Sequence, residues 1–424
     1  MEAGGESPGR VYLDYAGFSP VDPRVLAVMR PFLEAGIGNP SARHSLGAEA
    51  RESLEAARLK VARLVGGAAG GIVFTSGATE ANNLAIKGIA LRAGERGRHV
   101  IASCVEHISV LNACRELEKG GAPVTLLPVD GQGRVDPEAL RRALRPETAL
   151  VSIAAANEEI GTLQPLAELA RVTRAARVPL HVDGVGAIGR TALAAEPLGV
   201  DLLTLSGNDV YGPPGTGALW VRPGVKLAPQ ILGGGQEVGL RSGTENLPAL
   251  VGLGVAAELI RTESAHGEPA RLAALRDRLL EGVLEAVPDC RVTGPRDHRL
   301  PHHASLVVAG VKADSVLLDL DLAGIAASSG SACATLTQTP SHVLRAIGCT
   351  AAEAEGSLCF TLGRWSTAAE VDVLLDRLPA IIARLRVLAG DPAPAAPSIP
   401  AARSVPASSR APSTRSASAP RPAP

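Results

Sequence analysis

Gly71-Ile72-Val73-Phe74-Thr75-Ser76-Gly77-Ala78-Thr79-Glu80 is the stretch that decides the fold class. Four residues read as a short apolar strand. A Ser-Gly turn follows, and a helical run continues through Ile86. Backbone N–H groups at such a helix start lack intrahelical acceptors, so they either hold an anion or are merely capped.

Working outward, the same alternation recurs. Strands are expected at His99–Ala102, Val124–Leu127, Ala149–Ile153, Pro179–Asp183, Leu202–Ser206 and Gly217–Val221. Helical patterns such as Pro137–Leu144 and Leu166–Ala176 separate several of them. Apolar strands alternating with helices predict an α/β fold whose mostly parallel sheet is covered on both faces. Ligands in such folds sit at the carboxyl ends of the strands. Thr75, Glu106, Asn157, Asp183 and Ser206 all fall there.

The chain has 424 residues, enough for one large and one smaller domain. Apolar residues make up 46% and charged residues 20%, an ordinary globular balance. Aromatics are only 2%, so the core must be aliphatic. A net charge of -1 provides no basic field for nucleic acid. No stretch has the length and apolarity of a signal peptide or membrane span, so the cytoplasm is expected. The six cysteines form no C-x-x-C pair and signal neither zinc nor a redox dithiol. Residues 17–261 read as the large domain. Residues 1–16 and 262–390 read as a small α+β domain with helices over Ala270–Ala286 and Val371–Leu388 and a strand over Ala304–Val308. Residues 391–424 are Pro, Ala, Ser and Arg, and read as a disordered tail.

Several motifs line up in order: Tyr12-Leu13-Asp14-Tyr15, Gly38-Asn39-Pro40-Ser41 with His44, Phe74–Glu80, Glu106-His107 and Asn157–Gly161. His181-Val182-Asp183, Tyr211-Gly212-Pro213, Gly233–Glu237, Arg241–Thr244 and Ser328–Cys333 complete the series. Over residues 11 to 390 the chain resembles the pyridoxal-phosphate-dependent cysteine desulfurases of the class V aminotransferase fold. The resemblance implies an aspartate-aminotransferase-like large domain, a homodimer, L-cysteine as substrate, and a sulfur-acceptor protein, as in iron–sulfur cluster assembly. It implies that Ala78, Thr79 and Ser206 hold the cofactor phosphate, with Thr244 reaching the partner subunit's site. Asp183 would pair with the pyridine nitrogen and keep the ring an electron sink. His107 would stack on the ring and move protons. Cys333, in a Ser/Gly/Ala-rich stretch, would take sulfur as a persulfide through its thiolate. Arg364 would grip the substrate carboxylate in a two-pronged contact, with Asn39 as a further contact.

The pattern breaks at the centre. The family reads Ser-Gly-His-Lys before Tyr-Gly-Pro, and here the segment is Ser206-Gly207-Asn208-Asp209-Val210-Tyr211-Gly212-Pro213. The lysine that holds the cofactor as an imine is Asp209, and the histidine is Asn208. A carboxylate forms no imine, and beside Asp183 it would be repelled or protonated. The family's Asn-Asn-Glu is Asn157-Glu158-Glu159, which puts an acid against the cofactor's phenolic oxygen. Its Asp-x-x-Gln is Asp183-Gly184-Val185-Gly186, which loses a second oxygen partner, and Thr-Thr-Pro is Phe18-Ser19-Pro20. The lysines are Lys60, Lys87, Lys119, Lys226 and Lys312, none at a motif that replaces the missing one.

Three functions follow. The chain removes sulfur from L-cysteine with a non-covalently bound cofactor, giving alanine and a persulfide on Cys333. Alternatively it is a non-catalytic homologue: a dimeric scaffold, a sulfur relay through Cys333, or a regulatory partner of an active desulfurase. The third is different chemistry in the same pocket, with Asp209 or Glu158 as acid or base.

Overall fold

The computed structural model describes residues 10–34, 38–94, 97–330 and 340–390. The tail from 391 and Cys333 therefore lie outside the described residues. In chain order the first half contains β1 (Val11–Tyr12), α1 (Pro23–Glu34), α2 (Ser45–Val65), β2 (Ile72–Thr75), α3 (Ala78–Ala93), β3 (His99–Ser103), α4 (Ile108–Lys119) and β4 (Val124–Leu127). Next come α5 (Pro137–Ala143), β5 (Thr148–Ser152), α6 (Leu166–Ala176), β6 (Leu180–Asp183), α7 (Ala195–Leu198), β7 (Leu202–Ser206), β8 (Gly217–Val221) and α8 (Leu247–Ala265). The remainder holds α9 (Glu268–Ala286), β9 (Cys290–Val292), β10 (His303–Val308), α10 (Ala313–Leu322), β11 (Ile325–Ala326), α11 (His342–Ala346), α12 (Ala351–Glu355), β12 (Ser357–Thr361) and α13 (Ala368–Leu388).

The seven-stranded sheet runs β2-β8-β7-β6-β5-β3-β4. The five strands from β7 to β4 are parallel, and β8 is antiparallel to both its neighbours. Every residue of β2, β3, β6 and β8 is buried. Helices cover both faces, which is why β2, β8 and the middle of β3 read as apolar runs rather than alternating ones, while in β6 the buried His181 is held by Ser152 and Thr204. Burying each large aliphatic side chain contributes roughly 1.5–3 kcal/mol.

The register places the site. Thr75 and Ser206 both pair with Gly217, so the ends of β2 and β7 flank the start of β8. A Cβ on Gly217 would lie 2.7 Å from the Gly77 backbone. Only glycine there lets the turn before α3 lie against the sheet edge. Asp183, at the end of β6, pairs with Thr204 of β7 and so reaches the same edge.

A second core forms around the antiparallel β12-β10-β9 sheet and the parallel β1-β11 pair. Val11 and Leu13 pack there with Leu279, Leu306, Phe360 and Leu374. The N-terminal segment thus returns to the C-terminal half of the chain. Helix α8 packs its buried residues, through Ile260, into the first core, and α9, from Leu272, packs into the second. Helix α13 opens with a capping box, Thr367 with Glu370, which fixes its start three residues before the expected Val371.

Candidate active site

Helix α3 starts at Ala78 with Gly77 preceding it in a positive-φ conformation. The N–H groups of Ala78 and Thr79 have no acceptor within the helix. Thr75 Oγ1 donates to the Gly77 carbonyl at 3.0 Å and pins the turn. The Ser76 N–H is taken by Glu80 Oε2 at 2.8 Å, and Arg241 Nε donates to Glu80 Oε1 at 3.0 Å. The free end of α3 opens into a cavity of about 320 Å³ lined also by His107, Glu158, Asp183, Ser206, Asn208 and Asp209. A wider cavity of about 560 Å³ shares His107, Glu158 and Asp183. It is bordered by Ser328, Gly330, Pro340 and Ser341, the described residues on either side of the Cys333 segment.

Asp183 is buried and fixed. Asn82 Nδ2 donates to its Oδ2 at 2.7 Å, and the Val185 N–H donates to its Oδ1 at 3.2 Å. Burial raises its pKa, while the charge of His107 opposes that shift. His107 caps α4, its Nδ1 accepting the Ser109 N–H at 3.2 Å, which leaves Nε2 as the outer nitrogen. Beneath it Glu106 accepts the Ala154 N–H and the Ser103 hydroxyl. Burial pushes the Glu106 carboxyl up to about 8.

Asn208, Asp209 and Val210 form one turn of 3-10 helix after β7, which turns Asp209 back toward the cavity. Burial lifts the Asp209 carboxyl to about 6, with Arg190 and the Ser206 hydroxyl holding it down and Asp183 adding to the rise. Glu158 stands well above the ordinary carboxylate range, chiefly from burial and then from the charges of Asp209 and Asp183. Its Oε1 is buried without a hydrogen-bond partner among the described residues, as is Asn208 Oδ1. A Cβ on Gly186 would lie 2.9 Å from that Glu158 oxygen. The two departures are thus spatially matched, since Glu158 stands where a side chain at 186 would begin.

The structure does not bring every expected residue to the pocket. Arg364 lines neither cavity. Its Nη1 donates to Asp22 Oδ2 at 2.6 Å, its Nε lies 3.7 Å from Glu268, and its guanidinium lies over the Tyr211 ring at 4.4 Å. Asp22 thus engages one guanidinium nitrogen, while Nε and Nη2 of Arg364 are buried with no hydrogen-bond partner among the described residues. Asn39 is exposed, outside both cavities, its side chain accepting the Ser41 N–H at 2.8 Å. Thr244 is exposed and outside both cavities of this single chain.

Two contributors were missed from sequence. Asn82 lies among Ala81, Leu84 and Ala85 on the buried side of α3, and a fully buried amide in an apolar stripe was a readable signal. Arg190, buried and 5.7 Å over the Tyr211 ring, follows a turn with no local pattern to mark it.

The donor set fits a phosphorylated pyridine ring on three sides. The α3 terminus and Ser206 suit a phosphate, Asp183 suits a protonated ring nitrogen, and the unpartnered Glu158 and Asn208 oxygens await polar partners. It does not fit a covalently anchored aldehyde. None of the five lysines lines either cavity, and the smaller one is lined instead by the carboxyl groups of Glu158, Asp183 and Asp209.

The sequence profile of the class-V aminotransferases matches residues 11–374. "Cysteine desulfurase IscS 1" of Archaeoglobus fulgidus is 48% identical over 378 residues, 89% of this chain and 98% of that protein. The solved structure of a "NifS-like protein" superposes with a TM-score of 0.83 at 34% identity, covering 88% of this chain and all of that one. A structure described as "SspA in complex with cysteine" has a TM-score of 0.74 at 36% identity, covering 84% and 99%. With this α/β architecture, this pocket and these similarities, the chain belongs to the class-V aminotransferase family and, within it, to the cysteine desulfurases by sequence.

Proposed function

We propose that this chain is a non-catalytic cysteine desulfurase homologue that keeps a pocket for a pyridoxal-type ligand and holds it without a covalent bond. The carrying observation is Asp209, a buried carboxyl at the anchor position, facing Asp183 and Glu158 with no lysine in either cavity. When bound, such a ring supplies an electron sink for reactions at an amino acid's α-carbon. Ala78, Thr79 and Ser206 would hold the phosphate, Asp183, oriented by Asn82, would meet the ring nitrogen, His107 would cover the ring and Glu158 would meet its oxygen, with Asn208 beside Ser206. What is missing is a nitrogen at position 209 to take up the aldehyde and then shuttle protons at carbon.

The reading places two such chains in a homodimer in the cytoplasm, the large unit spanning 17–261 and the small one 1–16 with 262–390, and Thr244 directed at the partner's pocket. Cys333 serves as a sulfur relay. It accepts a sulfane sulfur from a donor persulfide, passes it to an acceptor protein and returns to the thiol, so no net oxidation occurs. A desulfurase acting on L-cysteine through a non-covalent ligand is the competing reading. Asp209 favours it in one respect, since a carboxyl that titrates at about 6 can exchange a proton near neutrality.

Alanine release from L-cysteine in the presence of pyridoxal phosphate decides between them. The proposal expects no turnover above a protein-free control, with Cys333→Ala losing persulfide transfer from a donor. Steady alanine release by the purified chain would overturn it.

A further inference from the structure

The titratable side chains that line the pocket are mainly acidic. Around the cavity stand the carboxyl groups of Asp183, Asp209 and Glu158, while Glu80 is already paired with Arg241. Set against them are the His107 imidazole at the rim and the Arg190 guanidinium, whose charge acts on Asp209. A buried carboxylate is retained at low cost only when a cation or hydrogen-bond donor meets it. In the same cavity Glu158 Oε1 is buried with no hydrogen-bond partner among the described residues, and Asp209 is buried beside it. A ligand that meets both the α3 cradle and this acidic wall carries an anion and a primary ammonium.

We infer that the pocket selects the amine form, pyridoxamine 5′-phosphate, over the aldehyde form, with Asp209 pairing the ligand's ammonium group and Glu158 donating to its phenolic oxygen. This rests on the non-covalent pocket proposed above and names its occupant. The substitution of lysine by aspartate exchanges a covalent partner for an aldehyde against an ionic partner for an amine. The aldehyde form finds no nitrogen to react with and places an uncharged carbonyl beside Asp209. Glu158 completes the change. Burial, and then the charges of Asp209 and Asp183, raise its pKa and so favour the neutral acid, which is a donor. It therefore replaces the amide donor that the family carries at that position.

Equilibrium binding of pyridoxamine phosphate and of pyridoxal phosphate to the full chain tests this, by calorimetry at neutral pH, with Asp209→Asn as the variant. The expected result is tighter binding of the amine by about tenfold or more, as for a partly buried ion pair. In Asp209→Asn the preference falls to within about threefold, while the affinity for pyridoxal phosphate, which reports an intact pocket, holds or rises. Equal or tighter binding of pyridoxal phosphate by the natural chain overturns the inference and leaves the pocket reading standing. A preference that survives in Asp209→Asn overturns the assignment to Asp209. Binding of neither ligand overturns the pocket reading itself, and this inference with it.

Discussion

Replacing Asp209 by asparagine should stabilise the protein at neutral and alkaline pH and not in acid. The carboxyl titrates at 3.8 when free and at about 6 in the folded chain. Between those values the folded state keeps a proton that the unfolded state has released. Stability therefore falls as pH rises through that window, and the full penalty is present above about pH 6. A shift of roughly two units corresponds to about 3 kcal/mol. Asparagine removes this penalty but also weakens the contact with the Ser206 hydroxyl, a loss of about 1 kcal/mol at any pH. The variant should thus be more stable by about 2 kcal/mol at pH 8 and no more stable than the natural chain near pH 4. Urea unfolding at fixed protein concentration across this range measures it, because the midpoint of the proposed dimer would move with concentration. A difference that does not vary with pH, or a loss of stability at pH 8, would refute the electrostatic account of the pocket.

Asp209→Lys should restore a covalent anchor: pyridoxal phosphate reduced on this variant with borohydride should mark residue 209, as peptide mapping would show. Gly217→Ala sets a Cβ 2.7 Å from the Gly77 backbone, which cannot rotate away. It should cost about 1–3 kcal/mol and weaken phosphate-ligand binding together, read by denaturation and calorimetry. Arg58 grips Glu237 through both amino nitrogens, at 2.7 and 2.8 Å, and Glu237 also accepts the Phe74 N–H. Arg58→Met leaves that carboxylate buried without its cation, and should lose about 3–5 kcal/mol of unfolding free energy.

Much of the large unit is legible from composition alone. Strands β2 and β8 are buried at every position and read as nearly continuous apolar runs, β6 is interrupted by His181, which Ser152 and Thr204 satisfy, and Leu166–Ala176 ends where its periodicity ends. The direction of β8 was not legible. Its run Gly217–Val221 resembles any other buried strand, and only pairing with β2 and β7 shows it reversed. At the site, Asp183, Asp209, Glu158 and Thr79 could be placed together because each follows a strand end or starts a helix. Arg364 could not be placed, since its engagement depends on Asp22, 342 positions away in the chain. The match of Glu158 to Gly186 is likewise a property of space. Each position reads alone as a lost contact, and only the 2.9 Å between them shows that one fills the room left by the other.

The central claim is that this pocket has no covalent anchor for an aldehyde. Borohydride reduction of the natural chain with pyridoxal phosphate, followed by peptide mapping of all five lysines, tests it most directly. The account predicts no stoichiometric modification at any lysine, and a ligand that dialyses away. A single lysine modified to one equivalent would contradict it.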